Sequence, residues 1–181
     1  MAKVLIVYGT TEGQTAKIAE HLADAGRRLG HTVDVRHAPD VAADTDPARY
    51  DGVLVGASVH EGRYQRAVRE FIERHSQALA ARPSGFFSVS LAAASRDPAE
   101  REAIERIAAN FEEGAGWAPQ RTASFAGALK YTQYSWLKRA LMKYISGKEG
   151  GDTDTSRDFE YTDWDAVTRF AEDFFGGLSA A

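Results

Sequence analysis

A short apolar run, Val4-Leu5-Ile6-Val7-Tyr8, passes straight into Gly9-Thr10-Thr11-Glu12-Gly13-Gln14-Thr15 and then into a segment with helical periodicity. A run of this length and composition reads as a buried strand. The loop therefore sits at the end of a strand and at the start of a helix. A helix start offers unpaired backbone N–H groups and the positive end of the helix dipole. Thr10, Thr11 and Thr15 add hydroxyls, Gln14 adds an amide, and Gly9 and Gly13 let the backbone approach a ligand closely. Together these groups suit one phosphate monoester.

Three kinds of phosphate loop are distinguished by spacing. A dinucleotide fingerprint needs G-x-G-x-x-G, which Gly9-x-x-x-Gly13 does not supply. A P-loop needs a lysine after its last glycine, where this chain has Gln14. What remains is a loop of neutral donors with no cation, suited to a mononucleotide. It resembles the flavodoxin phosphate loop, which holds the phosphate of FMN. An ordinary threonine-capped turn is the competing reading. Four side-chain donors and two glycines within seven residues exceed what a cap uses.

At 181 residues the chain is expected to form a single domain, residues 1–181, with enough length to bury a substantial core. Its 22 basic and 26 acidic residues give no global attraction for nucleic acid or a membrane. There is no cysteine, so thiolate nucleophiles, disulfides and thiolate-held clusters are excluded. Redox chemistry would need a bound cofactor. No group of residues has metal-ligand spacing. The N-terminus reads as a strand and not as a signal peptide. No stretch approaches the roughly 18–20 apolar residues of a membrane span, so a cytoplasmic protein with at most peripheral membrane contact is expected.

Strand and helix patterns alternate to the end of the chain. Ile18, Leu22, Ala25 and Leu29 recur at helical spacing before Gly30, which suits a helix C-terminus. Residues 31–35 read as a strand, 39–47 as a loop with a short helical turn, and 50–57 as a buried strand. Residues 66–79 read as an amphipathic helix with Val68, Phe71, Ile72 and His75 on one side. A fourth strand is expected over 85–91, a helix over 98–111 and a fifth strand over 122–126. The last helix, 163–175, is expected to be capped by Thr162 or Asp163. This is an α/β pattern. It implies a flavodoxin-like, doubly wound, five-stranded parallel sheet of order 2-1-3-4-5 with right-handed crossovers. The pattern breaks once, at an insertion spanning 129–157.

In such a sheet the loops after strands 1, 3 and 4 converge on one crevice. The first is the phosphate loop, with Thr10, Thr11, Glu12, Gly13, Gln14 and Thr15 as its candidate ligands. The second supplies Ala57, Ser58, Val59, His60, Gly62 and Tyr64; the third supplies Ser90, Leu91 and Ala92. Small residues there admit the backbone, while Val59, His60, Tyr64 and Leu91 offer faces for a flat ring such as a flavin. A receiver domain would need an aspartate where the third strand instead ends in Gly56-Ala57-Ser58. His60 suits either a proton-transfer group or a polar loop residue, and Arg63 suits a carboxylate ligand. His21, His31, His37 and His75 lie away from the crevice and receive no role. G-x-S-x-G is absent.

The insertion is aromatic and basic. Lys130, Lys138, Arg139, Lys143 and Lys148 are its cations over 130–148, and that stretch has no acidic residue. Tyr131, Tyr134 and Trp136 precede Leu137, Ala140, Leu141, Tyr144 and Ile145, which recur at helical spacing. Such a helix suits an anionic membrane surface, an apolar ligand bearing carboxylates, or a protein partner. It equally suits a helix packed on the sheet with a solvated basic face.

Taken together, the residues resemble the flavodoxin-type, menaquinone-dependent protoporphyrinogen oxidases of haem biosynthesis. The similarity rests on Glu12-Gly13-Gln14-Thr15, Gly56-Ala57-Ser58 with Gly62-x-Tyr64 and Phe71 to His75, and Phe87-Ser88-Val89. Its most specific parts are Ala126-Gly127-Ala128-Leu129-x-Tyr131, Tyr134-x-Trp136, Gly150-Gly151-x-Thr153-Asp154-Thr155 and Tyr161-Thr162-Asp163-Trp164. The resemblance implies FMN as cofactor, protoporphyrinogen IX as reductant, and menaquinone or another membrane quinone as acceptor. It implies work at the inner face of the cell membrane, with Arg63, Lys130, Tyr131, Tyr134, Trp136, Lys138 and Arg139 contacting substrate or membrane. The flavin would carry the chemistry, so no catalytic side chain is assigned. The alternative is a flavodoxin-like electron carrier, which would present an acidic rim where this chain offers Arg63 and the basic insertion. A quinone reductase using NAD(P)H ranks third, since no second nucleotide site is visible.

Overall fold

The computed structural model describes residues 1–41, 45–60, 62–95, 97–129, 156 and 158–179. Its centre is a parallel sheet of β1 (Lys3–Gly9), β2 (Thr32–His37), β3 (Gly52–Ser58), β4 (Ser84–Ser90) and β5 (Arg121–Ala126). The strand order is β2-β1-β3-β4-β5, as the alternating pattern requires. Helices α1 (Gln14–Arg28), α2 (Arg66–Ala80), α3 (Pro98–Gly114) and α4 (Trp164–Ser179) cover the sheet. Alternate side chains of one strand feed two separate cores. Val4 and Ile6 of β1, Leu54 of β3, and Phe87 and Val89 of β4 pack with Ile18, Leu22, Val167, Phe174 and Phe175 from α1 and α4. Leu5, Val7, Val53, Val55 and Phe86 pack on the other face with Val68, Phe71, Ile72, Phe111 and Trp117. Burial on both faces is why these strands read as continuous apolar runs.

Several boundaries differ from the sequence expectation, each for a local reason. Helix α1 ends in a paired C-terminal turn: Gly30 at φ 86° donates to the Arg27 carbonyl, and the His31 N–H donates to the Gly26 carbonyl. This turn uses His31, so β2 begins at Thr32. It also lifts Leu29 off the apolar stripe, leaving it 51% exposed. The loop after β2 holds two single 3-10 turns, Ala38–Asp40 and Pro47–Arg49. Asp163, and not Thr162, caps α4: its carboxylate accepts from the Ala166 N–H at 2.9 Å.

Thr162 has a different task. It donates to the Ala126 carbonyl at 2.7 Å and holds the start of α4 to the end of β5. Next to it, β6 (Ala128–Leu129) pairs antiparallel with β7 (Phe159–Glu160), a two-stranded ladder that periodicity did not anticipate. These strands flank most of the expected insertion. Residues 130–155 and 157 lie outside the described residues, as do Glu61 and Arg96.

Gly56 of β3 lies directly under the Phe87 ring of β4, so a Cβ there would overlap that ring. Gly56→Ala should therefore lower stability by about 1–3 kcal/mol, the usual cost of overpacking. Chemical denaturation measures it; an unchanged midpoint would show that the Phe87 ring moves freely.

Candidate functional site

The carboxyl ends of β1, β3 and β4 open into one cleft. Thr10, Thr11, Glu12, Gln14 and Thr15 line it from the first loop, Ser58, Val59 and His60 from the second, and Val89, Ser90 and Leu91 from the third. Gly127 and Ala128, just past β5, close its fourth side. Counted out to its open mouth, the space is about 570 Å³. Val89, Gly127 and Ala128 were not expected from sequence, since all three belong to segments read as strand or connector.

The first loop is built to meet an anion. Gly13 is the N-cap of α1 at φ 87°, a left-handed conformation that glycine adopts without strain. A Cβ there would meet nothing within 4 Å, so glycine is present for its backbone shape and not for want of room. No side chain caps α1 and its first turn carries no acidic residue. The helix N–H groups are thereby left for a ligand. Inside the loop, the Gly13 N–H donates to Thr10 Oγ1 at 2.9 Å, which folds the chain back over the helix start.

Two buried polar atoms at this point have no protein partner: Thr15 Oγ1 and Gln14 Oε1. Leaving such groups unsatisfied costs about 1–3 kcal/mol each, so they signal a ligand. Thr15 is fully buried, and its hydroxyl can donate to phosphate. Gln14 differs from the sequence expectation. Its amide nitrogen donates to Thr162 Oγ1 at 2.9 Å and so faces the β6–β7 ladder. The amide oxygen that remains is an acceptor, suited to a ligand hydroxyl. A molecule with both a phosphate and hydroxyls, as FMN has, fits this pair.

The second loop is pinned at both ends. The Val59 N–H donates to the Val89 carbonyl at 2.8 Å, extending the β3–β4 pairing by one step. His60 and Arg63 exchange backbone hydrogen bonds of 2.8 and 3.0 Å around Gly62, whose φ is 75°. His60 is exposed at the cleft, while Arg63 is exposed outside its lining. In the third loop Ser90 Oγ accepts from the Ala93 N–H at 3.2 Å, so this hydroxyl caps the 3-10 turn Leu91–Ala94.

Not every expected residue reaches the cleft. Ala57 is buried in the sheet beside Gly9, and Gly62 and Ala92 shape their loops without lining the space. Tyr64 turns away altogether. It packs against Phe111 with ring centroids 4.6 Å apart and edge-on to Phe86 at 5.4 Å, beneath α2 and α3. Its hydroxyl hydrogen-bonds Ser88 Oγ at 2.7 Å, and burial pushes its pKa up to about 12. An aromatic residue in a loop reads as a ring platform, but Tyr64 continues the apolar stripe of α2 one turn backward, through Val68, Phe71 and Ile72. That spacing was the available signal. Gln65, which the sequence reading passed over, joins the first two loops: it bonds Ser58 and Thr11 at once. Lys130, Tyr131, Tyr134, Trp136, Lys138 and Arg139 lie outside the described residues. Among the described residues, no three histidines or carboxylates gather as a metal site, and no helix is long and apolar enough to cross a membrane.

A parallel sheet of this order, with an uncapped helix start opening on a cleft beside the strand-order reversal, defines the flavodoxin-like class. Solved flavodoxins share it. A short-chain flavodoxin associated with a bacterial microcompartment superposes at TM-score 0.60 and 16% identity over 98% of this chain and 99% of its own. Oxidised flavodoxin 1 of Bacillus cereus does so at 0.58 and 14% identity, over 96% and 97%. The family described as "Flavodoxin domain" matches residues 5–156. Sequence relatives narrow the class further. The protoporphyrinogen IX dehydrogenase [quinone] of Escherichia coli strain K12 is 38% identical over 172 residues, covering 94% of this chain and 93% of its own. The protein of that name from Leishmania major is 38% identical over 178 residues, covering 95% of this chain and 74% of its own. The chain belongs to the flavodoxin-domain family and, within it, to the group of quinone-dependent protoporphyrinogen IX dehydrogenases. Membership implies a flavin as cofactor.

Thr15→Val should act with opposite signs on two measurements. Without ligand it removes an unsatisfied buried hydroxyl, so the melting temperature should hold or rise. With FMN as the probe, affinity should fall about tenfold, the loss of one hydrogen bond to a charged group. Unchanged FMN affinity would remove Thr15 from the phosphate site. Tyr64→Phe should instead leave FMN affinity within about twofold and cost roughly 1 kcal/mol of stability, since Ser88 loses its partner. The Tyr64 pKa is higher folded than unfolded, so its contribution is complete below pH 10 and fades as pH rises toward 12. Denaturation of wild type and Tyr64→Phe across pH 9–12 should converge.

Proposed function

We propose that this chain oxidises protoporphyrinogen IX to protoporphyrin IX, passing the electrons through a bound flavin to a quinone. The observation that carries this reading is the 38% identity over 94% of the chain to a dehydrogenase of that name, without large gaps in coverage on either side. We read the flavin as FMN. A loop with one helix N-terminus, one buried threonine hydroxyl and no lysine is matched to a single phosphate. The flavin supplies two-electron acceptance, and the substrate's six electrons leave in three such steps, each balanced by reduction of one quinone to a quinol.

The chain's own residues bind and orient. Thr15 and the first turn of α1 hold the phosphate. Val59, Val89 and Leu91 give the cleft apolar walls that exclude water from the ring, and His60 stands at its edge. Arg63 is exposed on the same loop, where it can meet a substrate propionate. Lys130, Tyr131, Tyr134, Trp136, Lys138 and Arg139 complete the reading as substrate or membrane contacts. Their support is compositional: a macrocycle with two carboxylates, or an anionic bilayer holding menaquinone, calls for aromatic surface and positive charge. On this reading the protein works in the cytoplasm, peripherally on the inner face of the cell membrane, and residues 1–181 act as one flavodoxin-like domain.

An anaerobic assay of FMN-loaded protein with protoporphyrinogen IX and a menaquinone analogue should give porphyrin fluorescence that depends on the quinone. Bound flavin with no such signal would leave an electron carrier as the better description. The combined variant Lys130→Ala, Lys138→Ala, Arg139→Ala should raise KM for the porphyrinogen or release the protein from anionic vesicles, with FMN affinity unchanged. If neither changes, those side chains have no part in substrate or membrane contact.

A further inference from the structure

Gln65 makes three hydrogen bonds with one amide. Its oxygen accepts from the Ser58 N–H at 3.2 Å; its nitrogen donates to Ser58 Oγ at 2.6 Å and to Thr11 Oγ1 at 3.1 Å. A backbone N–H can only donate, so the Ser58 bond fixes which end of the amide is oxygen. Both hydrogens of the amide nitrogen are then assigned, one to each hydroxyl. Each hydroxyl therefore accepts through a lone pair, and its own hydrogen points elsewhere. Thr11 and Ser58 both line the cleft. Room for this arrangement comes from Gly9, where a Cβ would lie 2.6 Å from Val68 Cγ2 and 2.9 Å from Gln65 Oε1.

From this geometry we propose that Gln65 is a positioning residue that sets the hydroxyls of Thr11 and Ser58 as donors toward the cleft, and so tunes the site for a phosphorylated flavin. It never touches the ligand. It occupies one lone pair on each of two rotatable hydroxyls that would otherwise be free to turn, and leaves their hydrogens for an anion and a polar ring edge. It also holds the first loop against the second, so the phosphate and ring ends of the site keep a fixed separation. The inference rests on the reading of the cleft as an FMN site.

Gln65→Glu separates donor direction from loop spacing. A carboxylate at this position can accept from the Ser58 N–H and from both hydroxyls, which keeps the loops together but turns both hydroxyl hydrogens away from the cleft. FMN binding to the cofactor-stripped protein, followed by flavin fluorescence quenching, should weaken at least tenfold. At 1 M KCl, where exposed charges are screened within about 3 Å, the ratio to wild type should persist. In the Thr11→Val background Gln65→Glu should cost clearly less than it does alone, because one of its two targets is gone. Affinity within twofold of wild type would overturn the inference. So would a loss that vanishes in salt, or one that adds fully to Thr11→Val, since either describes simple charge repulsion. If Gln65→Glu does not fold, Gln65→Met, neutral and of similar length, should still weaken FMN at least threefold, and no loss would overturn the proposal. Wild-type protein that binds no FMN would fail the cofactor reading itself, and this inference with it.

Discussion

The site exists because β1 is paired on both sides, to β2 through one register and to β3 through another. A right-handed crossover from β1 to β2 must leave on one face of the sheet, and the chain that goes on from β2 to β3 must return on the other. The loops that follow β1 and β3 therefore part at their tips, and a crevice opens between them without any residue being spent on making it. Its floor is rigid because both faces beneath are filled: Phe87, Phe174 and Phe175 on one side, Phe86, Phe111 and Trp117 on the other. The loops are short extensions of that floor, and the geometry of the cleft is inherited from the packing below it.

On this base the chain arranges polarity with few charges. Thr10 folds the loop onto Gly13, Thr15 is left with a buried unpaired hydroxyl, and Gln14 sends its nitrogen sideways to Thr162. Gln14 also reaches toward Glu160. Burial pushes that carboxyl up, but hydrogen bonds from Trp164, Lys17 and Gln14 outweigh it and hold it below the ordinary range. The loop after β1 and the β6–β7 ladder thus share one polar network. Neutral donors oriented by the fold suit a phosphate monoester, whose hydrogen bonds gain from its own charge.

How much of this was legible follows from where the signals come from. Strands buried on both faces betray themselves as apolar runs, so β1, β3 and β4, with their order, could be read directly. The place of the first loop, at the end of β1 and the start of α1 and lining the cleft, could be read because an apolar run passes straight into glycines and hydroxyls and then into a helical period. What escaped was set by tertiary contact. Two-residue strands such as β6 and β7 have no period to detect. Between the two caps expected for α4, Asp163 was chosen because Thr162 was drawn to the Ala126 carbonyl, a contact 36 residues away. Tyr64 was misplaced because its local setting, a loop beside a crevice, outweighed its phase with the stripe of α2. Gln65 carried no motif at all; only the approach of two loops gives its amide something to do.

The β6–β7 ladder has a further consequence. Leu129 pairs with Phe159, so the end of the segment that follows β5 and the start of the segment that leads to α4 meet at one point. The ends are fixed there by backbone pairing, by the Tyr161 N–H on the Gly127 carbonyl and by Thr162 on Ala126. Gly127 and Ala128 line the cleft between these anchors, so a slide of α4 along its axis would be transmitted directly to the cleft wall.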